Sequence, residues 1–282
     1  MVGYITDFGY ASLASTPYQE YIKPNSPRIL IENIAQKGNV INFPSSLDSN
    51  PEWLATLPST ADRWKSADNP SHIFAMFLGT GVYTTINSVG FCAHAGLIGR
   101  QCLINVVKDG ANQVAIGPFM VTDSTPVFRV FDDVECDTVI INFSSDEDFD
   151  IEVGVIMIGK SIALPRNIYV GHTPINYGRR PISRFITSDN GNFLGQSSQA
   201  VMLESSVSMD NIPPDYFRDV LRPYFQVPAE TKPFFWAWRP QSYPDEVGYC
   251  WIPSGRINPA NSKPNGFMNI SFDMMGYVSN GQ

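Results

Sequence analysis

The side chains that could perform chemistry in this sequence are few and widely separated. Two adjacent carboxylates, Asp245 and Glu246, lie near Trp238 and Tyr243. A glycoside hydrolase needs two carboxyl groups about 5–10 Å apart in a cleft. Neighbouring residues of a strand point to opposite faces, so this pair would need a turn to act together. The sequence has no G-x-S-x-G nucleophile motif. We predict that the protein is not an enzyme, with a glycoside hydrolase as the weaker alternative.

The residue types also raise the question of a metal site. Zinc needs clustered Cys or His ligands, whereas the chain has three distant histidines and four cysteines without a C-x-x-C pair: His72, His94, His172, Cys92, Cys102, Cys136 and Cys250. We predict free thiols packed as small hydrophobic groups, and His94 as a turn or core histidine. The acidic run Asp146, Glu147, Asp148 and Asp150 lacks the glycine and the ligand spacing of an EF-hand. The run is either a solvated turn, which the sequence favours, or a calcium-binding loop. We therefore predict no metal and no cofactor.

Composition narrows the class of protein. The net charge of −8 and a pI near 4.8 disfavour nucleic-acid binding, which needs a basic face. No apolar stretch is long enough to span a membrane, and the first residues lack the features of a secretory signal. Charged residues make up only 16% of the chain, well below the roughly 25% of soluble domains. A charge-poor surface is typical of a protein that contacts other proteins over much of its area.

The elements that would hold these side chains are mostly β-strands. Residues 1–44 predict an extended arm with one strand. Residues 45–162 contain short strands separated by turn signals, which favours a jelly roll or β-sandwich. The predicted strands are Ser71–Leu78, Ser88–Ala93, Gln101–Val107, Val127–Phe131, Thr138–Phe143 and Asp150–Ile158. A connector over 163–180 leads to a second β domain over 181–282.

The second domain is predicted to contain a hairpin, one packed helix and an aromatic strand pair. The hairpin has strands Pro181–Ser188 and Phe193–Met209 around Asn190–Gly191, a two-residue turn signal. The helix starts near Pro213–Pro214, and Pro223 predicts a kink in it. The stretch 233–251 holds three of the five tryptophans and predicts two buried strands around a bend. A polar loop, Pro253–Gly266, precedes the closing strand Phe267–Tyr277.

The segment RWKSADNPSHIFAMFLGTGVYTTINSVGFCAHAGLIGRQCLINV is similar in layout to discoidin-like, galactose-binding-like β-sandwich domains. Trp64, Leu78–Gly79, Ile86–Asn87 and Val89–Phe91 stand at the places of that layout. No ligand residue carries over from the resemblance. Sugar sites of β-sandwich modules use exposed aromatic side chains near loops, and the candidates here are Trp53, Trp64 and Tyr83.

The second half resembles the tail-tube fold of tailed bacteriophages, which tube, distal-tail and tail-tip ring proteins share. The resemblance is carried by PPDYFRDVLRPYF, PFFWAWRP, VGYCWIP and NGFMNISFDMMGY. It implies a ring of copies, most often sixfold, around a channel in the tail of the virion. The hairpin 181–209 would then contact the next copy or line the channel, with Arg184, Phe185, Phe193 and Leu194 as interface candidates.

These patterns predict a structural subunit of a phage tail, near its tip. Its partners would be further copies of itself, other tail proteins and, through the outward sandwich, host-surface glycan. A carbohydrate-binding adhesion module is the alternative from a different class. The two functions differ in what they require, because a binding module needs a glycan site and a ring subunit needs a large interface between copies.

Overall fold

A computed structural model describes residues 3–5, 22–36, 39–41, 47, 49–168, 171–226, 228–253, 257–261 and 266–279. Its first strands are β1 Gly3–Ile5, β2 Arg28–Leu30, β3 Asn39–Ile41, β4 Trp64–Phe77, β5 Thr84–Ala95, β6 Gln101–Lys108, β7 Ala111–Met120 and β8 Val127–Cys136. The later strands are β9 Thr138–Gly159, β10 Ile162–Ala163, β11 Arg179–Thr187, β12 Phe193–Ile212, β13 Phe234–Ala237, β14 Val247–Trp251, β15 Asn258–Asn261 and β16 Met268–Gly276. The predicted mostly β fold is confirmed.

Strands of the first half form a β-sandwich whose two layers share β9. The order β1-β7-β6-β9-β4-β3 makes one layer, and β5 joins β8 to the second half of β9. Alternate side chains from both layers fill a first core, which includes Trp64, Phe74, Phe91, Phe131 and Phe143. This closed packing requires about every second residue of each strand to be apolar, as the sequence of β9 shows at Val139, Ile141 and Phe143.

Strands of the second half form a separate sheet together with β2 and β10, in the order β10-β2-β13-β14-β16-β12-β11, with β15 beside β16. One face is covered by a helix that is α-helical over Pro214–Tyr216, π-helical over Phe217–Leu221 and α-helical over Arg222–Phe225. A further helical turn spans Pro228–Thr231. The helix and the sheet enclose a second core that contains Tyr216, Leu221, Phe225, Phe234 and Trp236.

The π-helical segment explains how Pro223 is accommodated. Proline has no N–H, and its ring clashes with the carbonyl four residues earlier in an α-helix. The wider π turn immediately before Arg222 changes that spacing, and such segments commonly occur as local bulges within α-helices. The helix therefore continues through Pro223 and keeps Tyr216, Leu221 and Phe225 buried. The Tyr216 hydroxyl donates to the carbonyl oxygen of Ala163 at 2.6 Å.

The sandwich packs on the other face of this second sheet through an interface core. Its buried residues are Leu30, Cys92, Ala93, Phe128, Val155, Met157, Phe235, Ala237, Val247 and Tyr249. Phe128 of β8 stacks on Phe235 of β13, with ring centroids 5.6 Å apart. Side chains alternate along β13, so Phe234 and Trp236 enter the second core while Phe235 enters the interface core. The aromatic strand pair predicted to be buried is thus buried on both faces.

Apart from β1, the sandwich is an insertion into the second sheet. β2 and β10 are antiparallel neighbours there, with Ile29 opposite Ile162, and β2 also pairs with β13. Strands β3 to β9 lie between β2 and β10 in the chain and belong to the first sheet. The described parts of the predicted arm over 1–44 are therefore divided between the sheets and contain three strands, where the sequence predicted one.

Three local predictions differ from the structure. The strand β7 is absent from the predicted strands. It follows a two-residue hairpin turn, because Asp109 and Gly110 both take positive φ, 51° and 75°. The acidic run at 146–150 is part of the long strand β9. At the β11–β12 hairpin, the Ser188 N–H donates to the carbonyl oxygen of Asn192 and only Gly191 has positive φ, so the loop spans 188–192.

Within the described residues, no helix is long and apolar enough to cross a membrane. The polar loop predicted over 253–266 contains the strand β15, and the rest of that stretch lies partly outside the described residues.

Candidate functional site

The hairpin formed by β11 and β12 extends beyond the rest of its sheet. Leu203 of β12 pairs with Gly276, the last residue of β16, and the part of β12 before Leu203 pairs with β11. The two strands therefore continue as a two-stranded ribbon, which we define as residues 180–187 and 193–202. A two-stranded hairpin is marginally stable in water by itself, which makes the exposure of its side chains informative.

Apolar side chains are exposed on both faces of this ribbon. Phe185 and Phe193 are 64% and 65% exposed, and their ring centroids lie 6.5 Å apart on one face. Ile186 points to the opposite face from Phe185, because side chains alternate along a strand, and it is 51% exposed. Leu194 is the extra residue of a bulge between the pairs Thr187–Phe193 and Ile186–Gly195, and it is 64% exposed. Soluble monomers rarely expose apolar groups of this size together.

The four interface candidates from the sequence lie together at the outer half of the ribbon. Phe185 pairs with Gln196, Arg184 pairs with Ser197, and Phe193 pairs with Thr187. Arg184 is exposed on the face opposite Phe185. The structure places these four residues near the same end of the ribbon but not all on one face, and their contact with another copy stays a prediction.

The root of the ribbon is firmly held. The Glu204 N–H donates to the carbonyl oxygen of Gly178 at 2.8 Å. A Cβ atom at residue 178 would lie 1.8 Å from the Glu204 carbonyl oxygen, so only glycine fits there. The Arg180 guanidinium donates to both carboxylate oxygens of Glu204 at 3.1 and 3.0 Å. The sheet thus fixes the direction in which the ribbon leaves the protein.

The three aromatic residues predicted to bind sugar do not form one site. Trp64 is fully buried in the first core, so its assignment as a ligand residue was wrong; β4 begins at Trp64 and turns it inward. Trp53 is half exposed on a 3-10 turn, Glu52–Thr56. Tyr83 lies beyond the opposite end of β4, where its hydroxyl donates to Asp109 at 2.6 Å and the Lys108 ammonium lies over its ring.

Asp245 and Glu246 each have a structural partner. Arg129 of the sandwich donates to an Asp245 carboxylate oxygen at 3.2 Å and to the carbonyl oxygen of Pro244 at 3.1 Å. Glu246 accepts from the Trp238 indole N–H at 2.6 Å and from the Tyr177 hydroxyl at 2.9 Å. The pair therefore joins the sandwich, the loop after β13 and the connector. The link through Arg129 was missed, because nothing in its local sequence indicates a partner 116 residues away.

The histidines and cysteines occupy separate places in the fold. His72 is buried, with ring nitrogens 2.9 Å from the Ser66 hydroxyl and 2.6 Å from the Phe149 carbonyl oxygen. His94 is a core histidine, and burial lowers its pKa. The four cysteines are buried free thiols, as predicted. In the part of the chain that the structure describes, no three His, Cys, Asp or Glu side chains are grouped to hold a metal ion.

Comparisons with known proteins give structural likenesses only. No protein-family model and no curated protein matches the chain. Similar solved structures include CBM32-1 from a family 31 glycoside hydrolase of Clostridium perfringens, which is 14% identical with a TM-score of 0.37 and covers 46% of this chain and 99% of its own. Chitosan-binding module 1 from a chitosanase/glucanase of Paenibacillus sp. IK-5 is 15% identical with a TM-score of 0.38, covering 45% and 98%.

A third similar structure is a His 62 mutant of the lectin binding domain of Lectinolysin complexed with Lewis b. It is 10% identical with a TM-score of 0.40 and covers 46% of this chain and 97% of its own. At such scores the likeness assigns neither a function nor a ligand residue to this chain.

Proposed function

We propose that this chain is a structural subunit of a multi-subunit assembly and that the ribbon is its main contact element. The observation that carries the proposal is the exposure of large apolar side chains on both faces of the ribbon. Burying each such side chain stabilises a complex by about 1.5–3 kcal/mol before the costs of association. Phe185, Ile186, Phe193 and Leu194 are about half to two-thirds exposed, so burying the exposed part of all four offers roughly 4–7 kcal/mol of gross stabilisation.

The ribbon has an exposed outer edge as well as two apolar faces. β11 is the last strand of its sheet, and an unpaired edge is a template for pairing with another chain. Its side chains are almost all exposed. An element with this combination is suited to insertion between neighbouring subunits, where both faces and the edge become covered.

The assembly that we propose is a bacteriophage tail, with the chain in a ring near the tail tip. Support comes from the resemblance of the second half to the tail-tube fold and from the arrangement of its parts. A helix covers one face of the second sheet and the sandwich covers the other, while the ribbon projects from the end. In this setting the partners are further copies of the chain and other tail proteins.

Native mass spectrometry over a wide range of concentrations, with negative-stain images of the same samples, tests the proposal. We expect oligomers that grow with concentration, and their loss in the double variant Phe185→Ser/Phe193→Ser. Tyr243→Ser is the matched control, since Tyr243 is an exposed aromatic residue away from the ribbon. A strict monomer at every concentration, or equal assembly of the double variant and wild type, would contradict the assignment of the ribbon as a contact element.

Glycan binding by the sandwich is a second candidate, favoured by Trp53. Its indole is half exposed, while its carbonyl oxygen accepts from the Thr56 hydroxyl at 2.8 Å and its neighbour Glu52 is fully buried. A fixed, exposed indole can stack on a sugar ring at low cost in conformational entropy. A glycan array should then give binding that Trp53→Ala abolishes and Tyr243→Ala leaves unchanged. Binding that survives Trp53→Ala would assign the ligand to another surface.

A further inference from the structure

An apolar cavity lies at the end of the second sheet that is remote from the ribbon. It has a volume of about 390 Å³ and opens between the 214–225 helix and the strands β15 and β16. Its floor is apolar and consists of Phe217, Phe225, Ile257 and Met268. This volume is within the roughly 300–1,000 Å³ of pockets that enclose a ligand, so it can admit one or two large side chains.

The rim of the cavity is charged. Arg218 and Arg222 line it on the helix side, and Glu230 lines it on the following helical turn. Both arginines are exposed. An occupant that fits this site therefore has an apolar end for the floor and charges that can pair with two guanidinium groups and one carboxylate.

The tip of the ribbon has this composition. We define the tip as Arg184–Phe185 and Asp189–Leu194, which lie at the closed end of the hairpin. Phe193 and Leu194 supply the apolar groups, and both are about two-thirds exposed. Asp189 is exposed in the loop, and its carboxylate can pair with an arginine of the cavity rim. Arg184 is exposed nearby and can pair with Glu230.

One copy cannot place its own tip in its own cavity. Phe193 at the tip and Ile212 beside the helix are the two ends of β12, which has 20 residues. At about 3.3 Å per residue they are on the order of 60 Å apart. The two sites therefore lie at opposite ends of one continuous strand.

We propose that the tip of one copy docks in this cavity of a second copy. The inference rests on the proposed function, because it names the partner surface for the ribbon. The contact is head-to-tail, so each copy uses one tip and one cavity. Such contacts close into a ring when the rotation between copies allows and otherwise give an open filament. The same contact would cover both the exposed ribbon and the apolar floor of the cavity.

Cross-linking of engineered thiols in the full chain tests this pairing. One protein carries Leu194→Cys at the tip and the other carries Arg218→Cys at the cavity rim, and the two are mixed under mild oxidation. The four native cysteines are buried and do not compete. Leu194→Cys mixed with Gln241→Cys is the matched control, because Gln241 is exposed on a loop outside the cavity. We expect the tip–rim disulfide to form at least about tenfold faster than the control.

A charge swap gives a second measurement that does not depend on cysteine. Asp189→Arg and Arg222→Asp should each weaken assembly, and the two changes combined in one chain should restore it by at least about tenfold relative to either alone. Rescue requires the two positions to meet, which a general loss of folding cannot imitate.

The outcomes separate this inference from the proposed function. Faster cross-linking of Leu194→Cys to itself would mean a tip-to-tip contact and would overturn the inference. So would oligomers that are sensitive to Phe185→Ser/Phe193→Ser but give no tip–rim disulfide, although the ribbon would then remain the contact element. If the wild-type chain is monomeric at every concentration, both the ribbon contact and the docking site fail.

Discussion

Gly90 of β5 offers a sharp test of the packing between the sandwich and the second sheet. A Cβ atom at this position would lie 2.9–3.0 Å from three ring atoms of Phe235 on β13. The ring has little room to move, because its centroid is 5.6 Å from that of Phe128 and 5.2 Å from that of Tyr249. The change Gly90→Ala should therefore lower the stability of the packing between the sandwich and the second sheet.

The expected magnitude follows from two opposing effects. Overpacking a well-filled core costs about 1–3 kcal/mol, whereas alanine in a strand is favoured over glycine by roughly 0.5–1 kcal/mol. The net loss of stability for Gly90→Ala should be about 1–2 kcal/mol, which corresponds to a fall in Tm of roughly 2–8 °C. Gly195→Ala is the control, because Gly195 is also in a strand and nothing lies within 4 Å of its added Cβ, so this change should cause no loss of stability and a gain of at most about 1 kcal/mol.

The assay is urea unfolding followed by tryptophan fluorescence. Trp64 is buried in the first core and Trp236 in the second, so the signal reports on both halves. The double variant Gly90→Ala/Phe235→Leu should recover much of the loss caused by Gly90→Ala, because leucine leaves space for the new methyl group. Purely additive effects of the two changes would show that Gly90 and Phe235 do not touch, and the interface core would have to be rejected.

Two further predictions concern charged groups. Arg129→Ala should lower the free energy of unfolding by about 2–3 kcal/mol in thermal melts, because the buried guanidinium donates hydrogen bonds to Pro244 and Asp245. Asp245→Asn should cost less than about 1 kcal/mol, since the Asp245 side chain is largely exposed. Equal losses from the two variants would contradict this explanation. Burial, with a smaller effect of Asp133, raises the pKa of Asp132 to about 6. The folded state binds this proton more tightly than the unfolded state, so its stabilising effect is full below about pH 4 and is lost as the pH rises to about 6. Asp132→Asn should thus gain stability over wild type between pH 4 and 6 in urea titrations, whereas a difference independent of pH would refute this origin.

Features set by local pattern were predictable from the sequence. The alternation along Val201–Met209 predicts that every second side chain from Val201 onwards shares one face. Four of these five side chains are buried, and Val201 is partly exposed. The closing strand behaves in the same way, with Ile270, Phe272 and Met274 buried. These predictions succeed because a strand repeats every two residues whatever its partners are.

Features set by distant pairing were not predictable in this way. The first half of β4 was not predicted as a strand, because polar residues follow Trp64. It forms a strand because it pairs with β9 around a bulge at Asn69. Trp64 consequently looked like a surface aromatic residue. The insertion of the sandwich depends on Ile29 meeting Ile162 and Trp236, and no local property of a three-residue strand reveals such partners.

The position of β2 has a consequence for how the chain is synthesised. Arg28–Leu30 leaves the ribosome before the sandwich strands β3–β9, and its partner β13, Phe234–Ala237, follows more than 200 residues after it. At translation rates of about 5–20 residues per second, this delay is roughly 10–40 s. The inserted sandwich, β3–β9, is complete within that interval and can fold first. The second sheet then closes around an already formed domain, so the protein matures from the middle of its sequence towards both sides.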